Sequence, residues 1–282
     1  MKIGRFEVEQ LSEGIFDVYN KGIFQKVGAD DITSKKQFEE VPTTASQIGI
    51  DPILIRDGKH VILLDTGLGW GLDSKSEYSD TSNLKTNLDI FGLTPTDVTH
   101  VVLTHLHFDH SAGCTYVDNT TTTQPTMPYA NYFLQKLEWH YAVQRMGEDN
   151  PVAGGDYNLD EFYKLYAEEK LVLITDTFFE LLPGITLIKT GGHTPGHQIV
   201  KIQDAGETAY FLGDLVPNEF HLNHYGMKEM DIDPIQSKKA KTLLLRQAVK
   251  EKAAVFFYHS IHVKNGVLVQ DEEKRYALLE VK

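Results

Sequence analysis

The chain has 282 residues, 41% hydrophobic and 24% charged, with 27 Lys and Arg against 40 Asp and Glu. That length holds one or two domains with a large core, and no apolar run approaches the roughly 20 residues of a membrane-spanning helix. A net charge of −13, with no basic cluster, argues against nucleic acid as a partner, because phosphate neutralisation needs clustered Lys and Arg.

The opening Met1-Lys2-Ile3-Gly4-Arg5-Phe6-Glu7 is charged and alternating, without the apolar stretch of a secretory signal, so a cytoplasmic location is expected. The single cysteine, Cys114, forms no internal disulfide and fits a reducing compartment. Alternation in Phe6-Glu7-Val8-Glu9 and the apolar Ile15-Phe16 predict a strand pair at a sheet edge. Residues 20–47 lack periodicity and are expected to form an irregular arm, with Ile23, Phe24 and Val27 lining a substrate mouth or a homodimer contact beside it. Asp57-Gly58, between the apolar runs 53–56 and 61–64, signals a hairpin whose second strand ends in Asp65-Thr66-Gly67. An Asp at the end of a buried strand can take the proton of a metal-ligand histidine and so fix its tautomer. Leu84, Leu88 and Phe91 recur at helical spacing before Gly92, which places a helix over 82–91.

A strand over 99–103 then opens into Thr104-His105-Leu106-His107-Phe108-Asp109-His110-Ser111-Ala112-Gly113. In extended chain, His105 and His107 point to the same side and can share one cation. Asp109 and His110 are adjacent, so a turn is needed to aim both at a second one. A Thr/Gln/Pro-rich loop over 118–128 follows, then helices over 130–146 and 158–170, the first read from Phe133, Leu137, His140, Tyr141 and Gln144. This helical insertion, 118–170, is expected over the metal site, with its aromatics Tyr132, Phe133, Trp139, Tyr141, Phe162 and Tyr163 mainly in the core. Strands over 185–189, 198–202 and 209–212 deliver His193, in Gly192-His193-Thr194-Pro195-Gly196-His197, and Asp214, in Phe211-Leu212-Gly213-Asp214. His197 is read as orienting a neighbour by hydrogen bonding. Asp233-Pro234 caps a helix running to about residue 252. A strand over 254–258 carries His259, and residues 263–268 read as a closing hairpin. With 23 residues after His259, no appended domain is expected.

Together, the HLHFDH, GHTPGH, FLGD and VFFYH segments and the earlier DTG resemble the metallo-β-lactamase superfamily. The resemblance implies a single α/β (α+β) domain over 1–282, a four-layer αββα sandwich with two mixed sheets and outer helices. It also implies two divalent metal ions, Zn2+ first and Fe, Mn or Co as alternatives, with His105, His107 and His193 on one, Asp109, His110 and His259 on the other, and Asp214 bridging. Two cations, two carboxylates and one bridging hydroxide leave a charge of about +1 to polarise a substrate oxygen, while bound water becomes hydroxide near neutral pH. His at 107, where oxygen-reducing relatives carry Glu, favours hydrolysis. The HLHFDH, TPGHQ and GDLVP segments resemble the quorum-quenching N-acyl homoserine lactonase branch, which implies a small-molecule substrate and opening of lactones or related carboxylic esters. Phosphotriesterase-like and thioester hydrolase activities are the alternatives, and a catalytically silent metal-dependent sensor is the reading from another class. That branch places a Tyr three residues after the bridging Asp, where this chain has Pro217, so Asp109 is the expected proton carrier and His221, His224 and Tyr225 are reserves.

Overall fold

The computed structural model describes the chain apart from residues 20–22, 27–44, 77, 79–80, 147–156, 158, 160–161, 224–225, 229 and 280–282. Side chains alternate in direction along a strand. In Ile53–Arg56 and Val61–Leu64 this sends Ile53, Ile55, Ile62 and Leu64 to one side and Leu54 and Leu63 to the other, and all six are buried. Strands apolar on both faces belong to a sheet covered on both faces. This one has seven strands, in the order Lys2–Ile3, Phe6–Gln10, Ile53–Arg56, Val61–Leu64, His100–Val102, Asn131–Gln135 and Leu171–Ile174. It is antiparallel through Val61–Leu64 and parallel thereafter. The second seven-stranded sheet runs Phe178–Leu182, Ile185–Lys189, Gln198–Asp204, Glu207–Phe211, Ala254–Phe256, Asn265–Gln270 and Tyr276–Leu279. Among the described strands its one parallel pair joins Glu207–Phe211 to Ala254–Phe256.

The helices are α1 (Leu84–Ile90), α2 (Phe108–Ser111), α3 (Lys136–Met146), α4 (Phe162–Ala167) and α5 (Pro234–Lys250). Three apolar clusters fill the gaps between four layers. Leu84, Leu88, Trp139, Ala142, Phe162 and Leu165 pack helices against the outer face of the first sheet. Ile53, Ile55, Ile62 and Leu64 meet Leu187, Val200, Ile202, Phe211 and Phe256 between the sheets. Leu244, Leu245 and Ala248 of α5 close the far face over Tyr210, Val255 and Phe257. This is the expected αββα sandwich with two mixed sheets. The expected helix starts hold at α1 and α5, where the Asn83 and Asp233 side chains accept the Thr86 and Gln236 N–H groups.

Several local expectations need correction. Phe6–Gln10 pairs with Ile53–Arg56, whereas Ile15 and Phe16 lie in Gly14–Tyr19, the centre of a separate three-stranded sheet. The flanks of the expected irregular arm are the outer strands of that sheet, Ile23–Lys26 and Ala45–Ile50. Val27 and the side chains of Ile23 and Phe24, and with them the homodimer contact, lie outside the described residues. The helix expected over 130–146 starts only at Lys136, because Asn131–Gln135 is drawn into the first sheet between two parallel neighbours. Its buried face is also the other one. Glu138, Trp139 and Ala142 face inward, while Leu137 is 48% exposed. Thr123–Pro125, within the expected loop, pairs with Thr115–Val117. Asn265-Gly266 makes no turn, since Asn265–Gln270 is held between two antiparallel neighbours and the reversal falls at Asp271, whose N–H donates to Arg275 O at 2.9 Å.

Candidate metal centre

The carboxyl ends of the inner strands open on one crevice. After His100–Val102, Asp65 holds the chain: its Oδ1 accepts the Thr104 N–H at 2.7 Å, and its Oδ2 accepts the Thr104 hydroxyl at 2.8 Å. His105 and His107 follow in extended backbone, and His107 caps α2 with φ −60° and ψ 148°. The single turn of α2 then brings Asp109 and His110 round, supplying the turn that adjacent ligands need. Asp214 sits in the short turn Gly213–Leu215 after Glu207–Phe211, and His259 follows Ala254–Phe256. Gly213 has φ +47°, and a Cβ there would stand 2.9 Å from His197 Nε2 and Thr104 Cγ2, so only glycine lets these loops meet.

Three groups of donors result: His105, His107 and His193; His105, His110 and Asp214; Asp109, His110 and His259. Within each, the ligand atoms lie within 4.8 Å of one another. The outward nitrogens set the tautomers. The Nδ1–H of His110 donates to Asp65 Oδ2 at 2.8 Å, that of His193 to Asp231 Oδ1 at 3.1 Å, and that of His259 to Gly49 O at 2.9 Å. His105 Nδ1–H donates at 2.9 Å to the Thr104 hydroxyl, whose own proton is on Asp65. The Nε2 lone pairs therefore point inward and crowd: His110 Nε2 lies 3.1 Å from His259 Nε2, and His107 Nδ1 lies 2.9 Å from His105 Nε2 and 3.1 Å from His193 Nε2. Lone pairs at that separation repel unless a cation or proton stands between them. Asp214 divides its carboxylate. Oδ2 is 3.2 Å from His193 Nε2, and Oδ1 is 3.2 Å from His259 Nε2 and 3.4 Å from His110 Nε2. Oδ1 is buried without a hydrogen-bond partner, the mark of an atom built to meet a cation. The donor set of imidazole nitrogen and carboxylate oxygen fits two such ions.

The electrostatics agree. Burial opposes ionisation of Asp214, yet His259, His110 and His193 hold its carboxyl well below the usual range. Burial likewise opposes charge on His110, but Asp109, Asp214 and Asp65 lift it well above the ordinary imidazole value. Burial and neighbouring imidazoles push His105 and His107 well down. The site thus holds an excess of negative potential on the His110 and His259 side.

The seven expected ligands, His105, His107, Asp109, His110, His193, Asp214 and His259, come together here, and His110 bonds to Asp65. His197 stays outside the donor groups: its Nδ1–H donates to Thr190 Oγ1 at 2.7 Å and its Nε2 accepts the Asp214 N–H at 3.0 Å. His221 is half-buried, with Nδ1 2.6 Å from Asn218 Oδ1, and burial, Lys228 and Lys241 lower its pKa. His224 and Tyr225 lie outside the described residues. Sequence reasoning missed four outer residues. Glu138 accepts from Leu106 N–H at 3.1 Å, Thr194 Oγ1–H at 2.6 Å and Gly196 N–H at 3.1 Å, so one carboxylate ties both ligand loops together. Tyr258 stacks on His110 and donates its hydroxyl to Asp109 O at 2.6 Å. Asp231 and Lys228 pair behind His193.

Residues 48–259 match the Metallo-beta-lactamase superfamily. An N-acyl homoserine lactonase of Bacillus cereus is 26% identical over 206 residues, which cover 69% of this chain and 68% of that protein. Another, from a Bacillus species, is matched over 63% of its length. A probable metal-dependent hydrolase from Staphylococcus aureus superposes with a TM-score of 0.74 at 26% identity, covering 100% of both chains. AidC, a dizinc quorum-quenching lactonase solved with a product, gives a TM-score of 0.71 at 20% identity over 100% of this chain and 96% of that one, a likeness of fold. With the family matched over most of its length and the donor groups meeting in its crevice, the chain belongs to the metallo-beta-lactamase superfamily and is a metal-dependent hydrolase.

Proposed function

We propose a dinuclear hydrolase that opens lactones or related carboxylic esters of small molecules, acting in the cytoplasm. His105, His107 and His193 would hold one cation, Asp109, His110 and His259 the other, and Asp214, with one oxygen toward each group, would serve both. The observation that carries this reading is the divided Asp214 carboxylate, one oxygen toward His193 and the other, without a hydrogen bond, toward His110 and His259. Two divalent ions bound there, zinc by donor type, would supply hydroxide near neutral pH and polarise a carbonyl oxygen. The likeness to N-acyl homoserine lactonases favours the lactone among the ester classes.

The chain's own residues account for the rest. Asp109 keeps 13% of its side chain exposed while Oδ2 lies 3.4 Å from His259 Nε2, which supports assigning its other oxygen to collect a proton and pass it to a departing alkoxide. Pro217 serves through its backbone, accepting the His259 N–H at 2.9 Å.

A panel of lactone, aryl ester, phosphotriester and thioester substrates, run on protein of assayed metal content, tests the reading. The lactone should give the highest kcat/KM. A phosphotriester or thioester in its place would move the assignment to that class, and two bound metals without turnover would point to a sensor. Asp109→Asn should lower kcat about 100-fold on substrates with poor alkoxide leaving groups and no more than about 10-fold on activated aryl esters. An equal loss on both, with metals retained, would leave Asp109 as a ligand only.

A further inference from the structure

Behind the centre, two buried ions converge on it without belonging to the donor groups. Lys228 is 8% exposed and Asp231 is 7% exposed, and Lys228 Nζ lies 3.1 Å from Asp231 Oδ1. The same oxygen accepts the His193 Nδ1–H at 3.1 Å, while the Lys228 ammonium also donates to the backbone carbonyl of Asp214. Burying an ammonium and a carboxylate is costly unless each is paired and bonded, so a pair in this position needs a reason. The local backbone delivers it: Asp231 N–H donates to Lys228 O at 3.2 Å, Ile232 N–H to His193 O at 3.1 Å, and Asp233 N–H to Gly192 O at 2.8 Å. This stitches the segment alongside the His193 loop.

We propose that Lys228 and Asp231 are positioning residues that brace His193 against Asp214 and so set the affinity of one cation position, that of His105, His107 and His193. The inference rests on the ligand assignment above. A closed circuit supports it, running from Asp214 O through Lys228 Nζ and Asp231 Oδ1 to His193 Nδ1, and back from His193 Nε2 to Asp214 Oδ2 at 3.2 Å. Asp231 fixes the His193 tautomer and ring orientation, and Lys228 holds Asp231 in register. The other cation position has separate supports, Asp65 on His110 and the Gly49 carbonyl on His259. Loss of the brace is therefore selective for one position.

The test is Co2+ titration of metal-stripped protein, followed by visible spectroscopy and chelator competition, on wild type, Lys228→Met, Asp231→Asn, the double variant and Lys228→Arg. Wild type takes up two ions in two steps. Each single variant should weaken one and the same step by about 10- to 100-fold and alter its visible bands, leaving the other step within about threefold. The double variant should be no worse than the weaker single by more than about threefold, since the two residues act as one unit, and Lys228→Arg should restore the step. Unchanged binding, equal loss at both steps, or additive losses would overturn the brace. Asp231→Asn is isosteric and gives the step-selective readout even if Lys228→Met fails to fold. A wild type that does not take up two ions would instead overturn the ligand assignment.

Discussion

Asp214→Ala should lose both metal ions and lower kcat/KM about 1,000-fold or more while the fold persists. The residue is 6% exposed, and its two oxygens stand 3.2 to 3.4 Å from the inward nitrogens of His110, His193 and His259. Among the described residues no other carboxylate faces both histidine groups, since Asp109 Oδ2 approaches only His259 and, at 3.9 Å, His110. Without Asp214, two dications would be held by imidazoles and one peripheral carboxylate, so their mutual repulsion would go largely unscreened in a buried site. Losing several kcal/mol of transition-state stabilisation corresponds to the stated loss of rate. The fold should persist because the Asp214 side chain supports no strand, and its N–H still donates to His197 Nε2. Metal analysis per chain, with circular dichroism as the fold check, decides it. Two metals retained by the variant would show that Asp214 does not bridge.

What was legible in the chain, and what was not, follows from how far each residue's role reaches along it. His105, His107, Asp109 and His110 could be read because one strand end and one helical turn present them all, so their spacing carries the geometry. Asp65 and Asp214 could be read because each ends a buried apolar strand, where an acidic residue is out of place unless it has work at the strand mouth. Lys228 and Asp231 could not. Their partner His193 is 38 residues away from Asp231, with two strands in between, and the stretch that carries Lys228 and Asp231 has no period of its own. The insertion was misread for a physical reason as well: Leu137 and Tyr141 suggested an apolar face, but the helix turns the carboxylate of Glu138 inward because two ligand loops present backbone N–H groups there. A buried charge reads as a solvent position in any pattern based on hydropathy.

Glu138 therefore bears the second large effect. Glu138→Ala should destabilise the metal-free protein by about 3 kcal/mol at pH 8, because the Leu106 and Gly196 N–H groups and the Thr194 hydroxyl lose their acceptor in a buried site, at about 1 to 3 kcal/mol each, partly offset by removal of a buried charge. The close approach leaves no room for another group to step in. A Cβ on Gly196 would already lie 2.3 Å from Glu138 N. Burial pushes the Glu138 carboxyl up from 4.5 to about 7, against the pull of its three hydrogen bonds. A carboxyl whose folded pKa is raised binds its proton more tightly in the native state. Its contribution is therefore complete below pH 4.5 and is lost as pH rises to about 7. The cost of Glu138→Ala should accordingly be about 2 to 3 kcal/mol larger at pH 5 than at pH 8, with the histidines, common to both proteins, cancelling in the difference. Urea unfolding of both metal-free proteins across that range is the measurement. A cost below about 1 kcal/mol at every pH would mean that the two loops hold their shape without Glu138. A large cost that did not change with pH would mean that the carboxylate is ionised throughout, so that its hydrogen bonds outweigh its burial.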